Sequence, residues 1–111
     1  MTSSPPPFSI VRTWRGVIRS EDRAAYTEYL EATGLGEYRA TEGNLGAWTL
    51  FRELDAARTE VVTVSRWVSR DAIRGFAGDD IDHAVFYPED DKYLLERDRQ
   101  VAHYEMLPTE G

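Results

Sequence analysis

The sequence has no cysteine among its 111 residues. This absence excludes disulfides, thiolate nucleophiles, iron–sulfur clusters and thiolate zinc sites, so any chemistry depends on His, Tyr, Trp, carboxylates or a borrowed cofactor. The chain also lacks a glycine-rich phosphate loop and the short motifs of zincins, serine hydrolases and EF-hand calcium sites. We therefore expect a protein that holds neither a metal ion nor a resident cofactor.

Long apolar runs and positive charge are also scarce. The apolar stretches span only a few residues, far fewer than the ~20 that cross a bilayer, and the N-terminus does not look like a signal peptide. The 20 Asp and Glu residues outnumber the 13 Lys and Arg, which gives a net charge of −7. Phosphate backbones and anionic membranes are repelled by such a chain. We therefore expect a cytoplasmic protein that binds neither nucleic acid nor membrane.

What the chain does contain is enough apolar material for one domain. Hydrophobic residues make up 41% of the sequence and aromatic residues 12%, which separates it from disordered chains. Three prolines and no core residue occur in the first seven positions. The sequence therefore predicts a disordered N-terminal tail over residues 1–8 and a single domain over residues 9–108.

Hydrophobic periodicity and turn residues predict the order strand, helix, strand, strand, helix, strand. This order is that of a ferredoxin-like βαββαβ domain of the α+β class, with an antiparallel sheet. Ser20 and Ser69 are predicted to cap the two helices, and Gly34 and Gly78 to end them. The predicted strands are residues 9–18, 47–53, 59–68 and 101–107, with a loop at 35–46, a hairpin turn at 55–58 and helical turns at 80–87.

Two helices cover only one face of such a sheet. The predicted strands carry apolar residues on both faces, and a soluble monomer rarely leaves so large an apolar patch in water. The sequence therefore predicts a face-to-face homodimer.

Aromatic residues are dense for a chain of this length, and they either fill a core or line a pocket for a flat ligand. We expect Trp14, Trp67, Phe76 and Phe86 to line a pocket for a small aromatic metabolite. His103, on the last predicted strand, is a further candidate, although strand alternation leaves open whether it faces the pocket or the dimer partner.

His83 and Arg12 are the charged candidates for chemistry at this pocket. His83 lies in an acidic stretch one helical turn before Tyr87, and a neutral histidine can act as a base. An exposed histidine in a solvated acidic segment is the alternative. Arg12 is a charge within a strand of core residues, where it could hold an anionic oxygen or form a salt bridge. We expect no metal site in the acidic stretch around His83, because consecutive carboxylates point in different directions and no second histidine lies at ligand spacing.

Five segments resemble the antibiotic biosynthesis monooxygenase family of dimeric α+β barrels, within the ferredoxin-like superfamily. The resemblance covers residues 10–107, and its carriers are IVRTW at 10–14, EGNLG at 42–46, VSRWVSRDAI at 64–73, AVFYPEDD at 84–91 and HYE at 103–105. It implies a homodimer whose two sheets form a shared barrel, with a ligand pocket in each protomer between the sheet and the helices.

The resemblance also implies an activity. Members of this family oxygenate phenols or anthrones without metal or flavin, by promoting deprotonation so that the substrate itself reacts with dioxygen. Other members degrade heme, but at their Asn, Trp and His positions this sequence has Trp14, Phe76 and Phe86. Heme degradation is therefore not expected, although His83 lies one turn earlier and could compensate.

These observations together favour a cofactor-independent monooxygenase-like protein. Its substrate would be a small phenolic or enolisable metabolite of polyketide-type secondary metabolism in a bacterium. His83 is the candidate base, and Tyr87 and Arg12 would stabilise the developing oxyanion. Two alternatives remain open: a non-redox cyclase or isomerase of the same fold, and a non-catalytic dimeric ligand-binding protein.

Overall fold

The computed structural model of the chain describes residues 8–107. Of the predicted tail only Phe8 is among them, and the predicted domain end at 108 lies outside the described residues. The elements in chain order are β1 (Ser9–Arg19), a 3-10 turn (Ser20–Asp22), α1 (Arg23–Ala32), α2 (Gly34–Ala40), β2 (Asn44–Glu53), β3 (Arg58–Trp67), α3 (Arg70–Ala77), α4 (Asp90–Tyr93), β4 (Leu94–Arg97) and β5 (Ala102–Met106). No helix in this part of the chain has the length and hydrophobicity that crossing a membrane requires.

The strands form one antiparallel sheet in the order β2, β3, β1, with β4 and β5 placed end to end along the far edge of β1. β5 pairs with the first half of β1 and β4 with the second half. The fourth strand position of the ferredoxin-like order is therefore filled by two short strands. The predicted α+β class and antiparallel sheet are confirmed, whereas the dimeric barrel stays a prediction.

One face of the sheet carries the core. Ile10, Ile18, Val61 and Trp67 point from β1 and β3 toward the helices and are almost completely buried. They pack against residues of α1, α2 and α3, together with one residue of the following segment: Tyr26, Leu30, Leu35, Tyr38, Ile73 and Ile81.

The prediction of a loop over residues 35–46 is correct only for residues 41–43, because 35–40 belong to α2 and 44–46 to β2. Gly34 begins α2 instead of ending the preceding helix, and Thr33 between the two helices has φ −118° and ψ −101°. Leu35 and Tyr38, three residues apart on α2, are both buried in the core. Their burial outweighs the poor helix propensity of glycine, which is at most ~1 kcal/mol.

The second predicted helix start is confirmed and the first is not. Ser69 caps α3, because its Oγ accepts the Ala72 N–H at 3.1 Å, and Gly78 ends this helix with φ +82°. Ser20 caps nothing; its hydroxyl lies 2.8 Å from that of Thr59 on β3.

Residues 80–87 were predicted as helical turns, and they are turns and extended chain. The Ala84 N–H donates to the Arg99 carbonyl at 2.9 Å, and the Val101 N–H donates to the Asp82 carbonyl at 2.8 Å. These backbone groups therefore pair with the chain between β4 and β5, which excludes a helix. The helix in this region is α4, after Pro88, and β4 was not predicted at all.

Candidate functional site

A cleft opens between the helical face of the sheet and the segment 84–87. The empty space in the cleft and in the solvent at its open mouth is together about 480 Å³. Most of its walls are aromatic or aliphatic, as in pockets that hold flat apolar ligands. The lining residues are Trp14, Tyr26, Leu30, Thr33, Gly34, Leu35, Tyr38, Thr63, Phe76, Ala84, Val85, Phe86, Tyr87, Asp90 and Val101.

Trp14 is fixed at the cleft from two sides. Its indole Nε1 donates to the Asp98 carbonyl at 2.8 Å, within the short gap between β4 and β5. The ring lies over Gly16, where an added Cβ would stand 2.5 Å from Trp14 Cη2. The break in the edge strand and the glycine together create the space that this ring occupies.

We expect Gly16→Ala to displace the Trp14 ring, because the new methyl group overlaps it and Leu94 Cδ2 lies 3.0 Å away on the neighbouring strand. The expected results are a cost of about 1–3 kcal/mol in urea unfolding and altered fluorescence of the chain. Gly34→Ala is the matched control, since its Cβ meets only Tyr87 Cε2 at an ordinary 3.8 Å. Equal effects of the two substitutions would contradict this account.

Tyr87 supplies a polar group to the cleft. Its hydroxyl donates to Glu37 Oε2 of α2 at 2.9 Å, and its backbone N–H donates to Asp90 Oδ2 at 2.6 Å. Burial raises the pKa of Tyr87, and the Glu37 carboxylate raises it further. The hydroxyl therefore keeps its proton near neutral pH and acts as a hydrogen-bond donor.

Asp90 is a carboxylate in a mostly apolar wall, and only 6% of it is exposed. Beside it Tyr26, Tyr29 and Tyr93 pack with ring centroids 5.3–6.1 Å apart. Burial is the main cause that raises the pKa of Tyr26 and of Tyr29, and Asp90 adds to both shifts. Among the described residues the buried Tyr29 hydroxyl has no hydrogen-bond partner of good geometry.

Arg12 lies beneath the cleft and is 1% exposed. Its Nε donates to the Tyr38 hydroxyl at 3.2 Å, its Nη2 to the His83 carbonyl at 3.1 Å and its Nη1 to the Ile81 carbonyl. Nη1 also lies 3.0 Å from His103 Nε2. One guanidinium thus joins β1 to α2, to the segment after α3 and to β5.

The two histidines have opposite environments. The His103 side chain is 5% exposed, and its Nδ1 lies 3.2 Å from Asp82 Oδ1. Burial lowers its pKa, and the neighbouring Arg12 lowers it further. The His83 side chain is 66% exposed, with its Nε2 3.0 Å from Asp80 Oδ2.

The structure brings together four of the predicted site residues at the cleft: Trp14, Phe76, Phe86 and Tyr87. Arg12, Trp67 and His103 lie in the core below it, where the Trp67 ring stands edge-on to Tyr38 at 5.7 Å. The His83 side chain points to solvent. Within residues 8–107 no group of three or more His, Asp or Glu could hold a metal ion.

Sequence reasoning missed several lining residues. Tyr38 and Leu35 lie on α2, where the glycines predict a loop, although the spacing of three between the two residues is a helical signal. Tyr26 and Leu30 were recognised as core residues of the first helix, but periodicity alone does not show that they also border a cavity. Asp90 gave no signal, since it is one of several acids in its stretch.

No family model matches the sequence, and no curated protein matches it. Solved structures do. A candidate antibiotic biosynthesis monooxygenase from Bacillus cereus superimposes with a TM-score of 0.66 at 17% identity, covering 94% of this chain and 98% of the other. The chain has the fold of the antibiotic biosynthesis monooxygenases.

Two further structures share this monooxygenase-type fold. A Nitrosomonas europaea protein of unknown function has a TM-score of 0.62 at 14% identity, covering 94% of both chains. A monooxygenase from Streptomyces coelicolor, solved in complex with nanaomycin D, has a TM-score of 0.53 at 16% identity and covers 96% of this chain and 92% of its own. At such identities the likeness shows the fold, and the chemistry must be argued from the site.

Proposed function

We propose that the chain is a cofactor-independent monooxygenase of the antibiotic biosynthesis monooxygenase family, and that a small planar phenol or enolisable ketone binds in the cleft. The observation that carries the proposal is the aromatic cleft with a protonated Tyr87 hydroxyl at its wall. The shared fold with a monooxygenase that binds nanaomycin D supports it. We place the activity in polyketide-type secondary metabolism of the bacterial cytoplasm.

The reaction needs a substrate that supplies its own electrons. An anthrone-like CH2 group loses a proton to give an enolate, whose carbon reacts with dioxygen to form a peroxide. The peroxide then loses water and leaves a C=O group, so CH2 and O2 become CO and H2O. The protein has to bind the ring, accept a proton and stabilise the enolate oxygen.

We assign these tasks to residues of the cleft. Trp14, Phe76 and Phe86 bind the flat ring. The single proton of the Tyr87 hydroxyl turns from Glu37 to the enolate oxygen when the substrate binds. The His83 side chain points to solvent. We therefore assign the role of general base to Asp90, whose carboxylate borders the cleft, and not to His83. Arg12 directs its donors at protein acceptors and therefore supports the wall instead of the oxyanion.

The test is oxygen uptake by the metal-stripped protein against anthrones, dihydroxynaphthalenes and hydroquinones, corrected for autoxidation. We expect protein-dependent uptake that survives a chelator. Tyr87→Phe should lower kcat about 100-fold, the scale of one oxyanion donor. Tyr104→Phe is the matched control, because Tyr104 lies on the sheet face opposite the cleft and the substitution keeps its ring; it should leave kcat unchanged.

Other outcomes separate the alternatives. Conversion of a compound without oxygen uptake would indicate the cyclase or isomerase. Thermal stabilisation by compounds that are returned unaltered would indicate a ligand-binding protein. Uptake that Tyr87→Phe leaves unchanged would contradict the role of Tyr87 while keeping the monooxygenase.

We also propose that the protein is a homodimer through the sheet face opposite the helices. This face, called the open face below, carries exposed apolar side chains that nothing in residues 8–107 covers, among them Trp48, Leu50, Tyr104 and Met106. At its far end Glu60 forms ion pairs with both Arg15 and Arg52, so the carboxylate is paired and one positive charge remains. A second copy placed face to face would bury these side chains.

A further inference from the structure

Three side chains from distant parts of the chain form a row beneath the cleft: Arg12 and His103, which are buried, and Asp82 at the outer end, whose side chain is 71% exposed. His103 stands in the middle, 3.2 Å from the carboxylate of Asp82 and 3.0 Å from Arg12 Nη1. Arg12 continues the row to the carbonyls of Ile81 and His83. These two residues lie within three positions of the segment 84–87, which forms one wall of the cleft.

The row determines where the proton on His103 lies. A guanidinium has donors and no acceptor, so His103 Nε2 must be unprotonated to accept from Arg12. The single proton of the neutral ring is then on Nδ1 and is donated to Asp82. A second proton on Nε2 would remove the bond to Arg12 and place two positive groups about 3.0 Å apart.

We infer that Arg12, His103 and Asp82 form a clamp that positions the 84–87 wall of the cleft, and that the clamp opens when His103 binds a second proton. Arg12 and His103 are positioning residues in this scheme. Arg12 bonds Tyr38 and the chain just before the wall, His103 bonds Arg12, and neither residue borders the cleft. The inference goes beyond the proposed reaction. It holds whether the cleft oxidises its ligand or only binds it.

The charges around His103 set the pH range of the opening. Arg12 of β1 and Arg70 of α3 lower the pKa of His103, as burial does, and Asp82 opposes them. In the unfolded chain His103 binds its second proton at the ordinary pKa of 6.5. In the folded chain it binds that proton only at lower pH. The clamp is complete above pH 6.5 and is lost as the pH falls through the depressed folded-state value.

The first test is the protonation of His103 by 15N nuclear magnetic resonance of the full chain. The chain has two histidines, and His83→Gln assigns their signals. We expect His103 to carry its proton on Nδ1 at pH 8 and to gain the second below pH 6.5. A proton on Nε2 at pH 8 would overturn the clamp.

The second test is amide hydrogen exchange of residues 81–87, corrected for intrinsic rates. From pH 7.5 to one pH unit below the measured titration midpoint of His103 we expect at least a tenfold loss of protection, with no loss in β3. In His103→Gln, which keeps an acceptor but does not titrate, the loss should stay below twofold. His83→Gln should behave as the unmodified chain.

Equal losses in His103→Gln and the unmodified chain would overturn the inference, as would the absence of any loss in the unmodified chain. If His103→Gln does not fold, the unmodified chain alone still tests the clamp. Its exchange and its His103 titration must then share one midpoint, and separate midpoints would contradict the clamp. None of these readouts depends on oxygen uptake, so failure of the proposed reaction is a separate result.

Discussion

Arg12→Met should cost about 3–5 kcal/mol of unfolding free energy, a large share of the 5–15 kcal/mol typical of a domain. The substitution keeps an apolar stem in the core and removes every donor of the guanidinium. The carbonyls of Ile81 and His83 and the His103 ring nitrogen then lose a partner inside the protein. Each buried acceptor left unpaired costs about 1–3 kcal/mol, partly recovered where water enters.

The measurement is urea unfolding at one fixed protein concentration, because association shifts apparent stability. Arg19→Met is the matched control at the end of the same strand. Arg19 is exposed, and its nearest carboxylate, that of Asp22, is 3.8 Å away, so we expect a change below about 1 kcal/mol. A cost of that size for Arg12→Met too would show that the buried network contributes little.

Val64→Glu should weaken self-association at least about 100-fold, or roughly 2.7 kcal/mol. Val64 lies near the middle of the open face, paired with Thr13 on one side and with Trp48 on the other. In a face-to-face dimer the new carboxylate is desolvated and meets its own symmetry copy nearby. In the isolated chain Val64 is only half-buried, so the monomer should keep its fold.

Analytical ultracentrifugation from nanomolar to micromolar concentration measures the dissociation constant of the dimer, and circular dichroism confirms that each variant is folded. Leu95→Glu is the control, since Leu95 is exposed on β4 away from the centre of the face. We expect it to leave the dissociation constant within twofold. A monomeric unmodified chain at micromolar concentration would refute the dimer itself, whatever the variants do.

Local sequence signals were sufficient for the parts of the fold that depend on near neighbours. Alternating β-branched and aromatic residues marked β1 and β3, and Ser69 and Gly78 marked the ends of α3. These signals succeed because capping and strand alternation involve residues a few positions apart. The order of the elements then limits the sheet to the ferredoxin-like arrangement.

Contacts between distant residues decided what sequence reasoning got wrong. Gly34 begins a helix because Leu35 and Tyr38 are buried against the sheet, and residues 82–84 are not helical because their backbone pairs with 99–101. The same holds for the histidines. The sequence does not show which of the two histidines is buried. Only His103 is, and it contacts groups from β1 and from the segment after α3.

The sequence by itself thus determined the class of the fold, the set of aromatic residues available for a pocket and the exclusion of thiol chemistry. Only the tertiary structure decided which of those aromatics border the cleft and which are core. It also placed Arg12 beneath the cleft instead of in it. The physical reason is that alternation assigns a side chain to one face of a strand, whereas its partners on that face come from residues 26–91 positions away.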